Sequence, residues 1–177
     1  MTELWDIYDE NAKPTGEVVE RTDAILPAGK YHIVVHIWLY NDKGEVLIQQ
    51  RAPHVYWMPG KWATTGGSVI SGEDSKTGAV REVQEELGIT LQPSDLKFIS
   101  RVKRKSALTD IYVAKTNATL ATMKLEDAVD AVKYVNVMDL HEMIDYGTFV
   151  DYMETECYTA QVMQRIFDKV ESRKTSL

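Results

Sequence analysis

Alternation of apolar and polar residues predicts β-strands in the first third of the chain. Two β-rich runs in "YHIVVHIWLYNDKGEVLIQQRA" are joined by Asp42-Lys43-Gly44, a pattern typical of a hairpin. One face of the first run carries Ile33, Val35, Ile37 and Leu39, and the other carries His32, Val34, His36, Trp38 and Tyr40. Because both faces are largely apolar, we expect this strand to lie inside a sheet that is covered on both sides.

Weaker strand signals flank this hairpin. Before it, "ELWDIYDENAKPTGEVVER" reads as two short strands around a turn-rich centre. After it come a strand entry in "PGKWATT", a second hairpin in "LKFISRVKRK" and "LTDIYVAKT", a last strand in "DAVKYVNV" and a helix in "MDLHEMIDY". Strands and helices alternate too irregularly for a doubly wound sheet, so the sequence predicts a mixed sheet between helices.

The C-terminal run "FVDYMETECYTAQVMQRIFDKV" predicts a further helix with one buried face. Its apolar residues recur at spacings of three or four, at Met153, Cys157, Ala160, Met163, Phe167 and Val170. Cys157 is the only cysteine, which excludes a disulfide framework and an all-cysteine metal site. We interpret it as a buried helix residue rather than a nucleophile.

The segment "GGSVISGEDSKTGAVREVQEELGIT", residues 66–90, predicts a helix with marked end signals. Glu73 and Asp74 suit a first turn, where the partial positive charge of the helix favours acids. Gly88 suits the position after the last turn, where glycine enters the left-handed conformation at little cost. The segment between them is long enough for about four turns.

One face of this helix gathers negative charge. At about 100° per residue, Glu82, Glu85 and Glu86 share an arc beside an apolar face. Gly78 leaves a gap on the acidic face, through which a ligand or a loop could approach the backbone. Arg81 can neutralise one carboxylate, and a divalent cation could neutralise the others. Hard cations such as Mg²⁺ prefer oxygen ligands of this kind and often bridge to phosphates.

The complete spacing of the segment is more specific than its charge. The order is Gly67, five residues, Glu73, seven residues, Arg81-Glu82-Val83, one residue, Glu85-Glu86, one residue, Gly88-Ile89. A chance match to such a pattern is on the order of 10⁻⁷. This stretch resembles the Nudix box with every position filled, so we expect a single Nudix hydrolase domain over residues 1–177 with its box at 67–89.

The resemblance to Nudix hydrolases implies a fold and an activity. It implies an α/β fold, an α/β/α sandwich with a mixed sheet and a loop-helix-loop that carries the box. It also implies Mg²⁺-dependent hydrolysis of a diphosphate linkage, commonly in a nucleoside diphosphate derivative. In that family the glutamates matching Glu82, Glu85 and Glu86 bind Mg²⁺ or Mn²⁺, often with the backbone carbonyl at the position of Gly66.

The resemblance also implies roles for the remaining box residues. The arginine matching Arg81 orients a glutamate, and we include it among the catalytic residues. The acid matching Glu73 supports the loop, as do Gly67 and Gly88. The expected metal-bound water attacks phosphorus once a carboxylate accepts its proton.

The identity of the proton acceptor stays open between Glu82 and Glu85. Some relatives use a glutamate outside the box, in the segment before the last strand. In this chain Ala128 stands there, and Glu126 or Asp127 could substitute only if the strand register slips.

A second resemblance covers roughly the N-terminal half, in "ELWDIYDE", Gly16, "YHIVVHIWLYNDKGEVLIQQR" and "PGKW". These stretches are similar to the branch that includes isopentenyl-diphosphate isomerase. His32 matches one of the metal-binding histidines of the isomerases, but Ile25 and Gly67 stand where two others would lie. Thr65 replaces the catalytic cysteine. We therefore expect a hydrolase, with an isomerase-like enzyme or a catalytically weak diphosphate-binding module as alternatives.

The same branch suggests roles for residues outside the box. Arg51 matches an arginine that contacts the diphosphate, and a surface ion pair is the alternative interpretation. Trp57 could stack on a base or cover a hydrophobic tail, or it could serve packing alone. His32 and His36 are then expected to be strand histidines that are satisfied in or near the core.

Composition limits the partners. A net charge of −7 and a pI near 5.1 argue against nucleic-acid binding. The N-terminus is acidic and lacks the features of a signal peptide, and no apolar run approaches the roughly 20 residues that span a bilayer. We therefore expect a cytoplasmic protein whose partner is a small-molecule diphosphate rather than nucleic acid or a membrane. A homodimer is common among such domains.

Overall fold

Nine strands form two sheets in the computed structural model, which describes residues 2–21, 25–155 and 158–172. The strands are β1 (Leu4–Tyr8), β2 (Pro14–Glu20), β3 (His32–Tyr40), β4 (Val46–Arg51), β5 (Trp62–Ala63), β6 (Thr65–Ser68), β7 (Lys97–Lys103), β8 (Ala107–Lys115) and β9 (Val129–Val135). The larger sheet has the order β5-β4-β3-β8-β7, with β6 paired to β3 and β9 to β4. Only β3 and β8 run parallel among the described pairs, so the predicted mixed sheet is confirmed.

Three α-helices cover the two faces of this sheet. They are α1 (Ser75–Leu87), α2 (Val137–Asp145) and α3 (Ala160–Glu171). Helix α1 packs on the face that carries Ile33, Val35, Ile37 and Leu39, whereas α2 and α3 pack on the face that carries Trp38 and Tyr40. Strand β3 is therefore covered on both sides, as predicted. Within the described ranges, no helix has the length and apolar character that crossing a membrane requires.

The hairpin of β1 and β2 forms the smaller sheet and is tied to the loop that precedes α1. Asp6 of β1 accepts hydrogen bonds from the Ser71 hydroxyl at 2.6 Å and from the Gly72 backbone N–H at 2.9 Å. The backbone carbonyl of Leu4 accepts another from Ser71 N–H at 2.7 Å. The predicted N-terminal hairpin is thus present, and it braces the segment that carries the glutamates.

The C-terminal helix is shorter than its apolar spacing predicts. Helix α3 begins at Ala160 with Thr159 as N-cap, and Met153 lies in a preceding turn with 42% of its surface exposed. The Asp151 carboxylate accepts backbone N–H bonds from Met153 and Glu154, which stabilises that turn in place of helix. Ala160 is exposed, and Cys157 lies outside the described residues. The other predicted helix positions are buried, namely Met163, Phe167 and Val170.

Candidate active site

Helix α1 begins and ends close to the predicted residues. The Asp74 side chain caps its N-terminus, and Gly88 ends it in the left-handed conformation with φ of 68°. The prediction that Glu73 and Asp74 belong to the first turn is wrong, because the helix begins at Ser75. Glu73 instead lies in the preceding loop, where its carboxylate faces Arg81.

Arg81 connects the carboxylates of the box through one guanidinium group. Its Nε donates to Glu73 Oε1 at 2.9 Å, and its Nη1 donates to Glu82 Oε1 at 2.9 Å and to Glu85 Oε2 at 2.8 Å. Its Nη2 donates to the backbone carbonyl of Ser68 at 2.9 Å. Burial alone would lower the pKa of Arg81, but the bonds to Glu73 and the neighbouring carboxylates raise it, so the side chain stays charged. Arg81 therefore fixes the helix, the loop and two glutamates relative to one another.

Two adjacent glycines allow α1 and β3 to approach the strand between them. A Cβ atom at Gly67 would overlap the carboxylate of Glu82, and one at Gly66 would overlap the backbone carbonyl of Val35. Glu82 thus lies directly over the backbone of β6. The requirement for glycine at both positions is steric.

The gap predicted at Gly78 is filled by the protein itself. A Cβ atom there would lie 2.9 Å from Cγ2 of Val69 and 3.3 Å from Oε2 of Glu73. The loop before α1 therefore approaches the helix at this glycine, and no ligand is needed to explain it.

Glu86 is the most deeply buried of the three helix glutamates, with 8% of its surface exposed. Its Oε2 accepts hydrogen bonds from Gln49 Nε2 at 3.0 Å and from Gly66 N–H at 3.2 Å. Burial, which disfavours the charged form, raises the pKa of Glu86 to about 8 and that of Glu82 to about 7. In Glu82 the charge of Arg81 opposes part of this effect. The pattern of the chain does not single out Gln49, although a glutamine that follows the apolar run of β4 is a signal for it.

A cavity of about 480 Å³ opens over these residues. The predicted site residues in its wall are Gly66, Gly67, Glu82, Glu85, Glu86, Arg51 and Trp57. Arg81, Glu73 and Gly88 lie outside the wall, consistent with supporting positions. The structure thus brings the carboxylates of α1 and the residues of the loop after β4 to one opening.

Arg51 contacts the loop residue that follows it, Trp57. Its Nε donates to the backbone carbonyl of Trp57 at 2.6 Å, and its guanidinium carbon lies 5.1 Å from the centre of the Trp57 ring. In the part of the chain that the structure describes, Arg51 forms no ion pair, so the alternative of a surface ion pair is not supported. Tyr56 also borders the cavity and is 92% exposed.

The segment before β9 brings one further carboxylate to the cavity. Ala128 lies in the wall, at the position where some relatives have a glutamate, and Glu126 lies there too. The backbone N–H of Glu126 donates to the carbonyl of Glu86 at 3.1 Å, which holds this loop against α1. Asp127 points to solvent and pairs with His54 at 3.1 Å. The pairing of β4 with β9 shifts register between Gln50 and Arg51. Glu126 lies outside that pairing, in the loop before β9, and reaches the cavity from there.

The two strand histidines are buried, and only one is satisfied as predicted. His36 Nδ1 lies 2.9 Å from the Tyr158 hydroxyl, which also accepts a hydrogen bond from Trp38 Nε1 at 2.9 Å. His32 stacks on Trp5 with ring centres 3.8 Å apart, but its Nδ1 has no hydrogen-bond partner among the described residues. Burial lowers the pKa of His36 to about 3 and that of His32 to about 4. Both rings are therefore neutral at pH 7.

The donor set of the cavity suits a hard divalent cation. Carboxylates of α1 line the cavity together with Gly66, and oxygen ligands are the kind that Mg²⁺ and Mn²⁺ prefer. No group of three or more His, Cys, Asp or Glu side chains is prearranged around a metal position within the described ranges. The geometry gives a reason, because Glu82 and Glu85 are both turned towards Arg81.

Comparison with known proteins identifies the family. The model of the NUDIX domain matches residues 30–152, so the chain belongs to the NUDIX family. An uncharacterized Nudix hydrolase of Listeria monocytogenes is 32% identical over 153 residues, which cover 85% of this chain and 89% of that protein. The predicted enzyme class, a hydrolase acting on pyrophosphate bonds, is confirmed by this membership.

Two further similarities concern the branch and the fold. An isopentenyl-diphosphate Delta-isomerase of Streptomyces coelicolor is 36% identical over 88 residues, 49% of this chain and 44% of that protein. The predicted relationship to the isomerase branch is thus confirmed. The crystal structure of DR0079 from Deinococcus radiodurans has a TM-score of 0.70 at 23% identity and covers 89% of this chain and 100% of that one. At this identity it supports the fold alone, which is the predicted α/β class.

Proposed function

We propose that this protein is a Mg²⁺-dependent pyrophosphohydrolase that cleaves the diphosphate linkage of a nucleoside diphosphate derivative. The observation that carries the proposal is the composition of the cavity. Carboxylates of α1 line one part of its wall, and Arg51 with the aromatic residues Tyr56 and Trp57 lines another. A diphosphate with an organic group attached needs both kinds of surface.

The residues proposed to hold the ion are Glu82, Glu85, Glu86 and the backbone carbonyl of Gly66. A bound Mg²⁺, or Mn²⁺ in its place, would neutralise the diphosphate and lower the pKa of a coordinated water. Because Arg81 donates to both Glu82 and Glu85, it limits their mutual repulsion before a cation enters.

Between Glu82 and Glu85, burial favours Glu82 as the group that accepts the proton of the attacking water. Its side chain is 14% exposed, against 52% for that of Glu85, so bulk water competes less for its carboxylate. Its carboxylate lies over the backbone of Gly67 and accepts a hydrogen bond from Arg81. Glu85 is half exposed and is the more accessible of the two to a hydrated ion.

The other part of the wall suggests how the organic group is bound. The stack on Trp57 and the bond to its carbonyl hold Arg51 in place, while its terminal nitrogens have no hydrogen-bond partner among the described residues and can donate to a phosphate. Tyr56 and Trp57 offer aromatic surface on which a nucleobase can stack. These two features support a nucleoside diphosphate derivative as substrate.

The experiment is a measurement of phosphate, pyrophosphate and nucleoside monophosphate release with about 5 mM Mg²⁺. The panel contains nucleoside di- and triphosphates, sugar nucleotides, dinucleotides and isopentenyl diphosphate. We expect turnover of a nucleoside diphosphate derivative that falls by about 10²-fold or more in the Glu85→Gln protein. Activity within about threefold of wild type in that variant would contradict the assigned metal face, and isomerisation of isopentenyl diphosphate without hydrolysis would contradict the proposal as a whole.

The remaining expectations belong to the same proposal. We propose one catalytic domain over residues 1–177, a small-molecule partner rather than nucleic acid, and a cytoplasmic location, in line with the net charge of −7. A homodimer is common among such domains. Light scattering on the purified protein tests the assembly, and a filter-binding assay with DNA and RNA tests the absence of nucleic-acid binding.

A further inference from the structure

Gln49 is a buried polar residue on the strand that leads to the cavity. Side chains of β4 alternate between the two faces of the sheet, so that Leu47, Gln49 and Arg51 point to the side of α1. Leu47 packs in the core beneath α1, and Arg51 reaches the cavity. Gln49 lies between them and is 2% exposed.

Only one end of the side-chain amide of Gln49 forms a hydrogen bond with the described residues. Its Nε2 donates to Glu86 Oε2 at 3.0 Å, but its Oε1 is buried and has no hydrogen-bond partner among the described residues. A buried carbonyl without a donor lowers stability, so packing alone does not account for glutamine at this position. When Glu86 is ionised, as a metal ligand must be, the reverse orientation of the amide would place its oxygen against the carboxylate and lose the bond from Nε2.

Two donors converge on one oxygen of Glu86. Gly66 N–H donates to the same Oε2 at 3.2 Å from β6, which pairs with β3 on the same edge as β4. Since Oε2 is thereby occupied, the other oxygen, Oε1, is the one left to meet a cation from the cavity that Glu86 borders. The rotamer of the side chain is also fixed, which reduces the entropy lost on binding.

We propose that Gln49 is a positioning residue for the divalent cation, acting through Glu86, and this inference rests on the metal site of the proposed function. Groups that hydrogen-bond to metal ligands commonly change metal affinity by about 10- to 100-fold when they are removed. Gln49 never contacts the ion. It directs which oxygen of Glu86 does.

The test compares wild type with Gln49→Met, which keeps the length of the side chain and removes the donor. Mn²⁺ alone is titrated into the metal-free protein, and free Mn²⁺ is followed by electron paramagnetic resonance. We expect Mn²⁺ to bind about tenfold more weakly in the variant. The unfolding midpoint of the metal-free protein should stay within about 2 °C of wild type, because the lost hydrogen bond is offset by removal of the unpartnered carbonyl.

Thr109→Val is the matched control. Thr109 is fully buried in β8, its hydroxyl also lacks a partner among the described residues, and its replacement keeps the shape of the side chain. We expect it to bind Mn²⁺ like wild type. A loss of Mn²⁺ affinity of equal size in both variants would indicate a general packing defect and would overturn the inference.

Glu85→Gln separates this inference from the proposed function. If Glu85→Gln weakens Mn²⁺ binding and Gln49→Met changes it by less than about threefold, the role of Gln49 is wrong while the metal site stands. If Glu85→Gln binds Mn²⁺ as wild type does, the metal site itself is wrong, and the role of Gln49 with it.

Discussion

The two faces of the large sheet both bury ionisable side chains, and burial shifts the pKa values of these side chains in opposite directions. Under α1, Glu86 is buried against Gln49 and Gly66, and burial raises its pKa to about 8. On the face covered by α2 and α3, His36 is buried against Tyr158, and burial lowers its pKa to about 3. Both residues are therefore driven towards their neutral forms.

His36 and Glu86 differ in their hydrogen-bond surroundings. The hydroxyl of Tyr158 completes a closed contact with His36 and Trp38 inside an aromatic cluster. Glu86 instead borders a cavity, and the glutamine that holds it keeps an unpartnered carbonyl. A buried polar group that is satisfied internally supports the fold, whereas one that faces open space at a cost in stability indicates a ligand.

Glu86→Gln is the change with the largest expected effect. It should raise the stability of the metal-free protein at high pH and lower the activity measured with Mg²⁺. The folded pKa of Glu86 lies above its unfolded value, so its contribution to stability is present below about pH 4.5 and is lost as the pH rises through about 8. We expect the metal-free variant to be more stable than wild type at pH 9 by on the order of 3 kcal/mol. Activity with Mg²⁺ should fall by about 10²-fold or more.

The two quantities are measured by urea denaturation in a chelating buffer and by steady-state kinetics. Denaturation at pH 5 serves as the control, since most of the stability difference should disappear there. If the variant were less stable than wild type at pH 9, burial of Glu86 would carry no cost and the contrast between the two faces would fail.

His36→Gln should show the opposite pH dependence on the other face. The folded pKa of His36 lies below its unfolded value of about 6.5, so its contribution to stability is present above that pH and is lost progressively as the pH falls towards about 3. Between pH 7 and pH 5, wild type should lose about 2 kcal/mol relative to the variant. The measurement is the free energy of unfolding of both proteins at each pH.

The variant itself should be less stable than wild type at pH 7, because the contact with Tyr158 is altered. Only the change of the difference with pH reports the titration of His36. A constant difference between pH 7 and pH 5 would show that the ring protonates equally in the folded and unfolded states, so that burial does not hold His36 neutral.

The sequence predicts well what depends on neighbours along the chain. Apolar alternation is sufficient for β3, and the spacing of the box is sufficient for α1 with Gly88 at its end, because these patterns reflect the periods of strand and helix. The same local reasoning fails at Met153, where a side-chain bond from Asp151 replaces a helical turn. It fails also at Glu73, which leaves the first turn of α1 to bind Arg81.

Residues whose roles arise from distant contacts are the ones that sequence reasoning misses. Gln49 and Glu86 are 37 positions apart, and Glu126 reaches the cavity only because its loop is bound to α1. His32 has a strand position identical in pattern to that of His36, yet it stacks on Trp5 and lacks a partner for Nδ1. Pairing of this kind depends on tertiary packing, which no periodicity encodes.

Gly67→Ala should disturb the face of α1 without disturbing the fold. The added methyl group overlaps the Glu82 carboxylate, which is the free end of a flexible side chain and can move away. We expect kcat to fall by about tenfold, since a displaced catalytic group costs rate, while the unfolding midpoint changes little. Gly147→Ala is the control, because Gly147 has φ of 69° in the loop after α2, on the other side of the sheet, with open space around it. That control should lose about 1 kcal/mol of stability and no activity. Equal kinetics in both variants would contradict the placement of Glu82 at the reacting centre.

Tyr56→Ala should have the smallest effect, and it contrasts an exposed aromatic residue with the buried ring of Tyr158. Because Tyr56 is 92% exposed, its removal should leave the free energy of unfolding unchanged within about 0.5 kcal/mol. If a nucleobase stacks on it, KM for the nucleoside diphosphate derivative should rise by about three- to tenfold with kcat unchanged. Steady-state kinetics with the preferred substrate and with its diphosphate lacking the base measure the difference. An equal rise in KM for both compounds would place the contact on the phosphates, and an unchanged KM for both would remove Tyr56 from the binding surface and leave Trp57 as the aromatic wall of the cavity.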